Sequence, residues 1–359
     1  METAPLSAVY NSPGPFATVL VDVSRDSENA EQEHELRVRS AVDALTEQGA
    51  DDSVVSHVRQ RLEELVQRPA PVARVVVANA QGVLLDEVAG FRVERPVASY
   101  GPLPDLAQWV EHRDAVTTFV LALVDHEGGD VAVYDSDVPE PEEETQAGGE
   151  THHVHKVPVG GWSALRYQHV TDNVWIRNGK DVAEKVKEYV EQGTGLVLLA
   201  GDPTSVGIVR EELAGVQGAT VVELESGTRN EDGGDEAQQQ AVREALMAQA
   251  VERRLALSHE LKDRLGQDRA VATGVRDVAD AFVRGQVETL LLDTAATAEL
   301  TFDPGQHPGL ALGPDLPSGP VRADQALVAA ATLTGAAVVV APSSVLGGAA
   351  TAALLRWDQ

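Results

Sequence analysis

The hydrophobic residues of this chain follow two rhythms that alternate along it. Phe16-Ala-Thr-Val-Leu-Val-Asp22 is an unbroken apolar run between Pro15 and Ser24, which predicts a buried strand. From Glu28 to Gln48, and again from Asp51 to Val66, apolar residues such as Leu36, Val38, Val42 and Leu45 recur among charges at the spacing of a helix face. Gly49 separates the two stretches, so a helical hairpin lying on a sheet is expected. Arg74 to Ala78 and Val83 to Val88, joined through Asn79-Ala-Gln-Gly82, predict a β-hairpin. A second strand pair, Thr118 to Val124 and Asp130 to Tyr134, surrounds the turn Asp125-His-Glu-Gly-Gly129.

Beyond it the alternation continues. Trp162 to Gln192 predicts a long helix, Gly195 to Gly201 a buried strand, Val206 to Ala214 a helix and Thr220 to Leu224 a strand. Ala237 to Leu265 and Gly274 to Gly285 follow as helices, Thr289 to Asp293 as a strand, Ala323 to Thr334 as a helix and Ala336 to Ala341 as a strand, before a glycine-containing end at Leu346 to Trp357. Strands alternating with helices make this an α/β chain. Two stretches break the pattern. Asp135 to Glu150 is rich in Asp and Glu with little apolar content and reads as a flexible acidic loop, and Ser226 to Glu236 reads as a Gly/Asp/Glu linker. Domain boundaries are therefore expected at 1–113, 114–228 and 236–359.

Length agrees with this division, since 359 residues with 43% apolar content exceed what one compact core holds. The net charge of −29 excludes a protein-wide electrostatic grip on phosphates, so any RNA contact must be local. The absence of cysteine removes disulfides, thiolate metal sites and a Cys nucleophile together. Met1 to Pro15 lacks the basic and apolar regions of a signal peptide. No run reaches the roughly 18 to 20 apolar residues of a membrane span, so a soluble, cytoplasmic protein without membrane contact is expected.

Lys156-Val-Pro-Val-Gly-Gly-Trp-Ser-Ala-Leu-Arg-Tyr167 is the most informative segment. It resembles the tip of the middle domain of the archaeal and eukaryotic class I release factor, in which a basic loop, GGQ and SALRF open a long helix. Gly160, Gly161, Ser163, Ala164, Leu165 and Arg166 follow that pattern, with Tyr167 for the phenylalanine. Trp162 departs from it, standing where the release factor has the glutamine that positions water at the peptidyl-tRNA ester. Thr273 to Leu292 resembles the same family's glycine-led helix and strand, and Gly347 to Arg356 its glycine-rich terminus. The first domain carries no NIKS-like or YxCxxxF-like stop-codon pattern.

The combination resembles the bacterial release-factor-like and Pelota-like branch, which includes ribosome hibernation factors of the Balon type. The resemblance implies three α/β domains: a divergent N-terminal α+β domain for the decoding site, a ribonuclease H-like middle domain, and a C-terminal domain like the kink-turn-binding ribosomal proteins. It implies a non-catalytic, cofactor-free factor that occupies the vacant A site of the 70S ribosome, contacting ribosomal RNA of the decoding and peptidyl transferase centres. Elongation factor Tu is the partner GTPase it suggests, and the protein is expected to be a monomer off the ribosome. The implied tip contacts are Gly160, Gly161, Trp162, Ser163, Arg166 and Tyr167, supported by Lys156, Arg177 and Lys180.

The residues support a plug at this tip. Two glycines let backbone approach RNA, and the indole face can stack on a base, which is worth roughly 1–3 kcal/mol. Between His152 and Lys187 the formal charge is +3 within the acidic chain, although a solvated amphipathic helix would read the same way. His152, His153 and His155 form the one histidine cluster, but without a carboxylate or thiolate set they predict no metal site. Asp125 at a strand end is taken as a turn aspartate rather than a catalytic one. Gly195 to Thr204 lacks both nucleotide-loop spacings. The alternative function is a rescue enzyme hydrolysing or cleaving peptidyl-tRNA on stalled ribosomes. Its glutamine would have to be Gln168, on the helix pattern beyond the tip.

Overall fold

The computed structural model describes residues 1, 3–27, 29–125, 127–138, 141–148, 175–225, 234–267 and 269–357. They divide into two compact units, Met1–Ala115 with Arg254–Gln359, and Val116–Arg253.

The first segment opens with a short helix, Ser7–Tyr10 (α1), and the strand Phe16–Asp22 (β1). Two helices follow, Ala30–Glu47 (α2) and Asp52–Glu63 (α3), with Gly49 at φ 84° between them. The hairpin Ala73–Asn79 (β2) and Gly82–Ala89 (β3), the strand Val97–Gly101 (β4) and the helix Ala107–Ala115 (α4) complete it. The antiparallel sheet runs β3-β2-β1-β4, with Val19 opposite Val76. Both of its faces are covered, which is why β1 is apolar without interruption. Ala17, Val19 and Val21 face α2 and α3, whereas Phe16, Leu20, Val75 and Val77 join a second core. That second core also holds Trp109 of α4 and apolar residues from the end of the chain, so the first and last segments share one interior.

The second unit carries Thr118–Asp125 (β5), Gly128–Asp135 (β6), Glu143–Ala147 (β7), Trp175–Glu191 (α5), Leu196–Gly201 (β8), Pro203–Leu213 (α6) and Thr220–Glu223 (β9). Sheet order is β7-β6-β5-β8-β9, antiparallel from β5 to β7 and parallel from β5 to β9. Alternate residues of β5 serve opposite faces: Val120, Ala122 and Val124 meet α5 and α6, and Phe119, Leu121 and Leu123 pack with Val242 of the helix Gly234–Gln267 (α7).

The acidic stretch 135–150 departs from the expected loop. It contains β7, because Thr145 and Ala147 are buried at alternate positions while the acidic Glu143 faces solvent. Glu143 and Glu144 point to opposite faces at the start of this edge strand, neither of them buried, where charge costs little and discourages further pairing.

The last segment adds Val271–Thr273 (β10), Val275–Val283 (α8), Val287–Leu292 (β11), Thr294–Ala298 (α9), Thr301–Phe302 (β12), Val321–Arg322 (β13), Ala323–Thr334 (α10), Ala337–Val340 (β14) and Thr351–Leu355 (β15). Its main sheet runs β10-β15-β11-β14. The glycine-containing end thus holds an inner strand. Among the described residues no helix is long and apolar enough to cross a membrane.

Candidate functional site

The segment singled out by sequence, with Lys156, Gly160, Gly161, Trp162, Ser163, Arg166 and Tyr167, lies outside the described residues, as do His152, His153, His155 and Gln168. The structure does define the elements on either side of it in the chain, which are the end of β7 and the first turns of α5.

Glycines bring these elements together with the β5–β6 turn. Gly128 has φ 146°, and a Cβ there would collide with the carbonyl oxygen of Ala147. Gly148, at φ 90°, lies so close that an added Cβ would stand 2.7 Å from Gly128 Cα, 3.1 Å from the Glu127 carbonyl oxygen and 3.3 Å from Asn178 Cβ. Gly129 leaves only 2.7 Å to the Leu123 carbonyl oxygen and 3.2 Å to Val182 of α5. Only residues lacking a side chain permit this convergence. Asn178, 3% exposed, is buried at the same place, and Gly179 leaves 2.7 Å to Ile208 of α6.

Carboxylates gather around the turn. Asp125 Oδ1 accepts the Glu127 N–H at 2.8 Å, a side-chain turn of the kind its position predicts. Asp202, following Gly201 at the end of the neighbouring parallel strand, donates its N–H to Val124 O at 2.8 Å and caps α6 by accepting from Ser205 N–H at 3.0 Å. Asp130 is the unusual member. It is 5% exposed on the α7 side of β6, aligned with Ala132 and Tyr134. Burial pushes its carboxyl from 3.8 up to about 6, opposed by a hydrogen bond from Gln146 and reinforced by the charges of Glu144 and Asp125. Sequence reading passed over Asp130; the signal was its period-two alignment with Ala132 and Tyr134, which places a carboxylate on an apolar face.

Of the supporting basic residues, Arg177 is exposed on α5, and Lys180 pairs with Glu212 of α6 at 3.1 Å. Lys185 and Lys187 pair with Glu188 and Glu184 at 2.8 and 2.9 Å. Lys185 also lies 4.8 Å from the ring centre of Tyr189, whose hydroxyl is 3.1 Å from Thr145 Oγ1 of β7. α5 is thereby fastened to β7. Among the described residues no group of three or more His, Asp or Glu side chains could hold a metal ion.

A five-stranded mixed sheet flanked by helices, with glycines packing the β5–β6 turn against the end of β7 and the start of α5, makes this an α/β domain. Residues 118–267, from β5 to the end of α7, match the model of bacterial archaeo-eukaryotic release factor family 2. Two uncharacterized proteins from two strains of Mycobacterium tuberculosis are each 24% identical over 358 residues, covering 96% of this chain and 94% of their own. Among solved structures, the S. cerevisiae translation termination-like factor Dom34 is 9% identical with a TM-score of 0.43, covering 99% of this chain and 93% of its own. Ribosome-bound archaeal Pelota is 15% identical with a TM-score of 0.40, covering 99% of this chain and 94% of its own.

Proposed function

We propose that this protein is a ribosome-binding factor that occupies the vacant A site and silences translation without releasing peptide. The observation that carries the reading is the sequence Gly160-Gly161-Trp162-Ser163-Ala164-Leu165-Arg166 within the residues that match the release-factor-type family. The glycine pair and the following SALR keep the form of a loop that reaches the peptidyl transferase centre. Tryptophan changes its chemistry: an indole offers one N–H donor and no acceptor, so it lacks the amide with which glutamine holds water. Its flat face stacks on a base instead. The tip then plugs the site, the first unit's N-terminal segment lies toward the decoding centre, and elongation factor Tu is the candidate GTPase for delivery. Cytoplasmic ribosomes are the place of action, and storage of idle ribosomes under stress is the role this implies.

Cosedimentation of the full chain with vacant 70S ribosomes tests the reading, comparing wild type with a Gly160→Ala, Trp162→Ala, Arg166→Ala triple variant. Wild-type binding weakened by the triple change is expected. Absence of wild-type binding, or release of peptide from peptidyl-tRNA-loaded ribosomes, overturns it.

A further inference from the structure

One corner of the first unit presents cations beside an exposed aromatic ring. Its centre is Gln286, 4% exposed, just before β11. Its side-chain Oε1 accepts from Arg284 Nε at 2.5 Å, and its carbonyl oxygen accepts the Arg356 N–H at 2.8 Å. The first bond orients the Arg284 guanidinium, and the second brings the backbone of Arg356, from a segment far apart in the chain, beside Gln286. Because Nε of Arg284 is occupied, its guanidinium is oriented while both Nη groups remain available. Arg284 and Arg356 are exposed and make no ion pair among the described residues. Trp357, 52% exposed, follows Arg356 directly.

The neighbouring charges are already engaged. Arg264 donates to the carbonyl oxygens of Ala270 and Leu355 at 3.1 and 3.0 Å and pairs with Glu260 at 2.6 Å, with Glu288 4.0 Å away. Asp280, one helical turn before Arg284, accepts from His307 at 2.7 Å. The cationic excess is thus carried by Arg284 and Arg356.

We infer that this corner is a contact site for single-stranded RNA, with Arg284 and Arg356 on two phosphates and Trp357 stacked on the intervening base. A guanidinium matches the two oxygens of a phosphate, an indole stacks on any base, and the pair needs no groove or base-specific donor. An acidic peptide would use the arginines but leave the indole without a planar partner. The site draws on residues distant in sequence from the tip segment and gives an acidic chain a second local hold on RNA.

The test is fluorescence anisotropy of a fluorescein-labelled ten-nucleotide oligouridine with the full chain. Trp357→Ala should weaken binding between about fivefold and about a hundredfold. Arg284→Gln with Arg356→Gln should lower the slope of log K against log salt by about 1.4, the loss of two phosphate contacts on a single strand. Arg284→Lys should retain the salt slope. A residue that merely caps α8 would change melting and leave binding unmoved, so thermal melts accompany each variant. Undetectable wild-type binding, equal affinity in all variants, or tighter binding of a labelled decaglutamate peptide overturns the site. Loss of oligouridine binding in the tip variant alone assigns the RNA contact to the tip and overturns it too. The outcome stands apart from ribosome cosedimentation, because oligouridine binding lost with Trp357 survives failure of the A-site reading.

Discussion

Replacing Asp130 by asparagine should stabilise the second unit at neutral pH. The folded state holds this carboxyl at about 6 against 3.8 when exposed, burial being the main cause. At pH 7.5 the ionised side chain then costs about 3 kcal/mol relative to its protonated form. The folded pKa is raised, so the folded state binds more protons between the two values, and the penalty shrinks as pH falls. By pH 5 it is about 1.5 kcal/mol. The substituted amide would keep the acceptor for Gln146 and carry no charge, so Asp130→Asn should gain about 1–3 kcal/mol at pH 7.5 and roughly half of that at pH 5. Urea unfolding of both proteins at the two pH values, followed by far-UV circular dichroism, reads the difference directly. A variant less stable than wild type at pH 7.5, or a gain equal at both pH values, refutes the account of Asp130 as a buried charge that its hydrogen bond from Gln146 only partly compensates.

Three further perturbations follow from the geometry. His34, 7% exposed, donates from Nε2 to Leu62 O at 2.8 Å while Nδ1 is buried without a partner, and burial holds its pKa below 6.5. Its folded pKa is depressed, so this stability is complete above pH 6.5 and lost as pH falls; His34→Gln should abolish that part of the acid sensitivity in a melting series from about pH 7.5 to 5. Gln48 shields the edge strand β4 by accepting the Tyr100 N–H at 2.8 Å and donating to Ala98 O at 2.9 Å. Gln48→Ala should cost about 1–2 kcal/mol and promote self-association in sedimentation velocity, and an unchanged monomer with an unchanged melt would count against the shielding role. Gly201, at φ 126°, would drive a Cβ into the carbonyl oxygen of Val124, so Gly201→Ala should cost about 3 kcal/mol or more, whereas Gly49→Ala, with no atom within 4 Å, should cost about 1 kcal/mol. Equal melts for the two alanine variants would show that backbone strain, not the collision, decides.

Much of this architecture was legible wherever one physical signal dominated. The uninterrupted apolar run of β1, the glycine break between α2 and α3, and the Asn79 to Gly82 turn each carry their own cause in the residues. The misses came where tertiary context prevailed. β15 reads Thr-Ala-Ala-Leu-Leu, a composition that favours helix, yet it forms an inner strand because Ala352 and Ala353 fit a fully buried position between β10 and β11. β7 was hidden by its glutamates. Gly128 was read as a turn former and Gly148 as part of the acidic loop, but the requirement that fixes them is contact: the two approach each other from segments whose pairing a single sequence does not reveal. Asp130 needed the register of β6 against the α7-covered face before its burial could be seen.

Charge sets where an acidic chain of this kind can hold RNA. The cations of α5 form one row in sequence, but Lys180, Lys185 and Lys187 each meet a glutamate within about one helical turn or on α6. A paired lysine releases no counterion from RNA until its carboxylate partner is displaced, so that row contributes little to a salt-dependent grip. α5 is fastened to β7 through Tyr189 and Thr145, with Lys185 lying over the Tyr189 ring. On the proposed reading, binding free energy comes from cations outside these pairs, among them Arg177 on α5, Arg166 beside Trp162 in sequence, and Arg284 and Arg356 with Trp357. In the last two places an arginine accompanies a tryptophan, the combination that can add stacking to a small number of phosphate contacts. For a chain of net charge −29, two compact contacts of that kind are more effective than a broad basic face, because each needs only a few residues to overcome repulsion at short range.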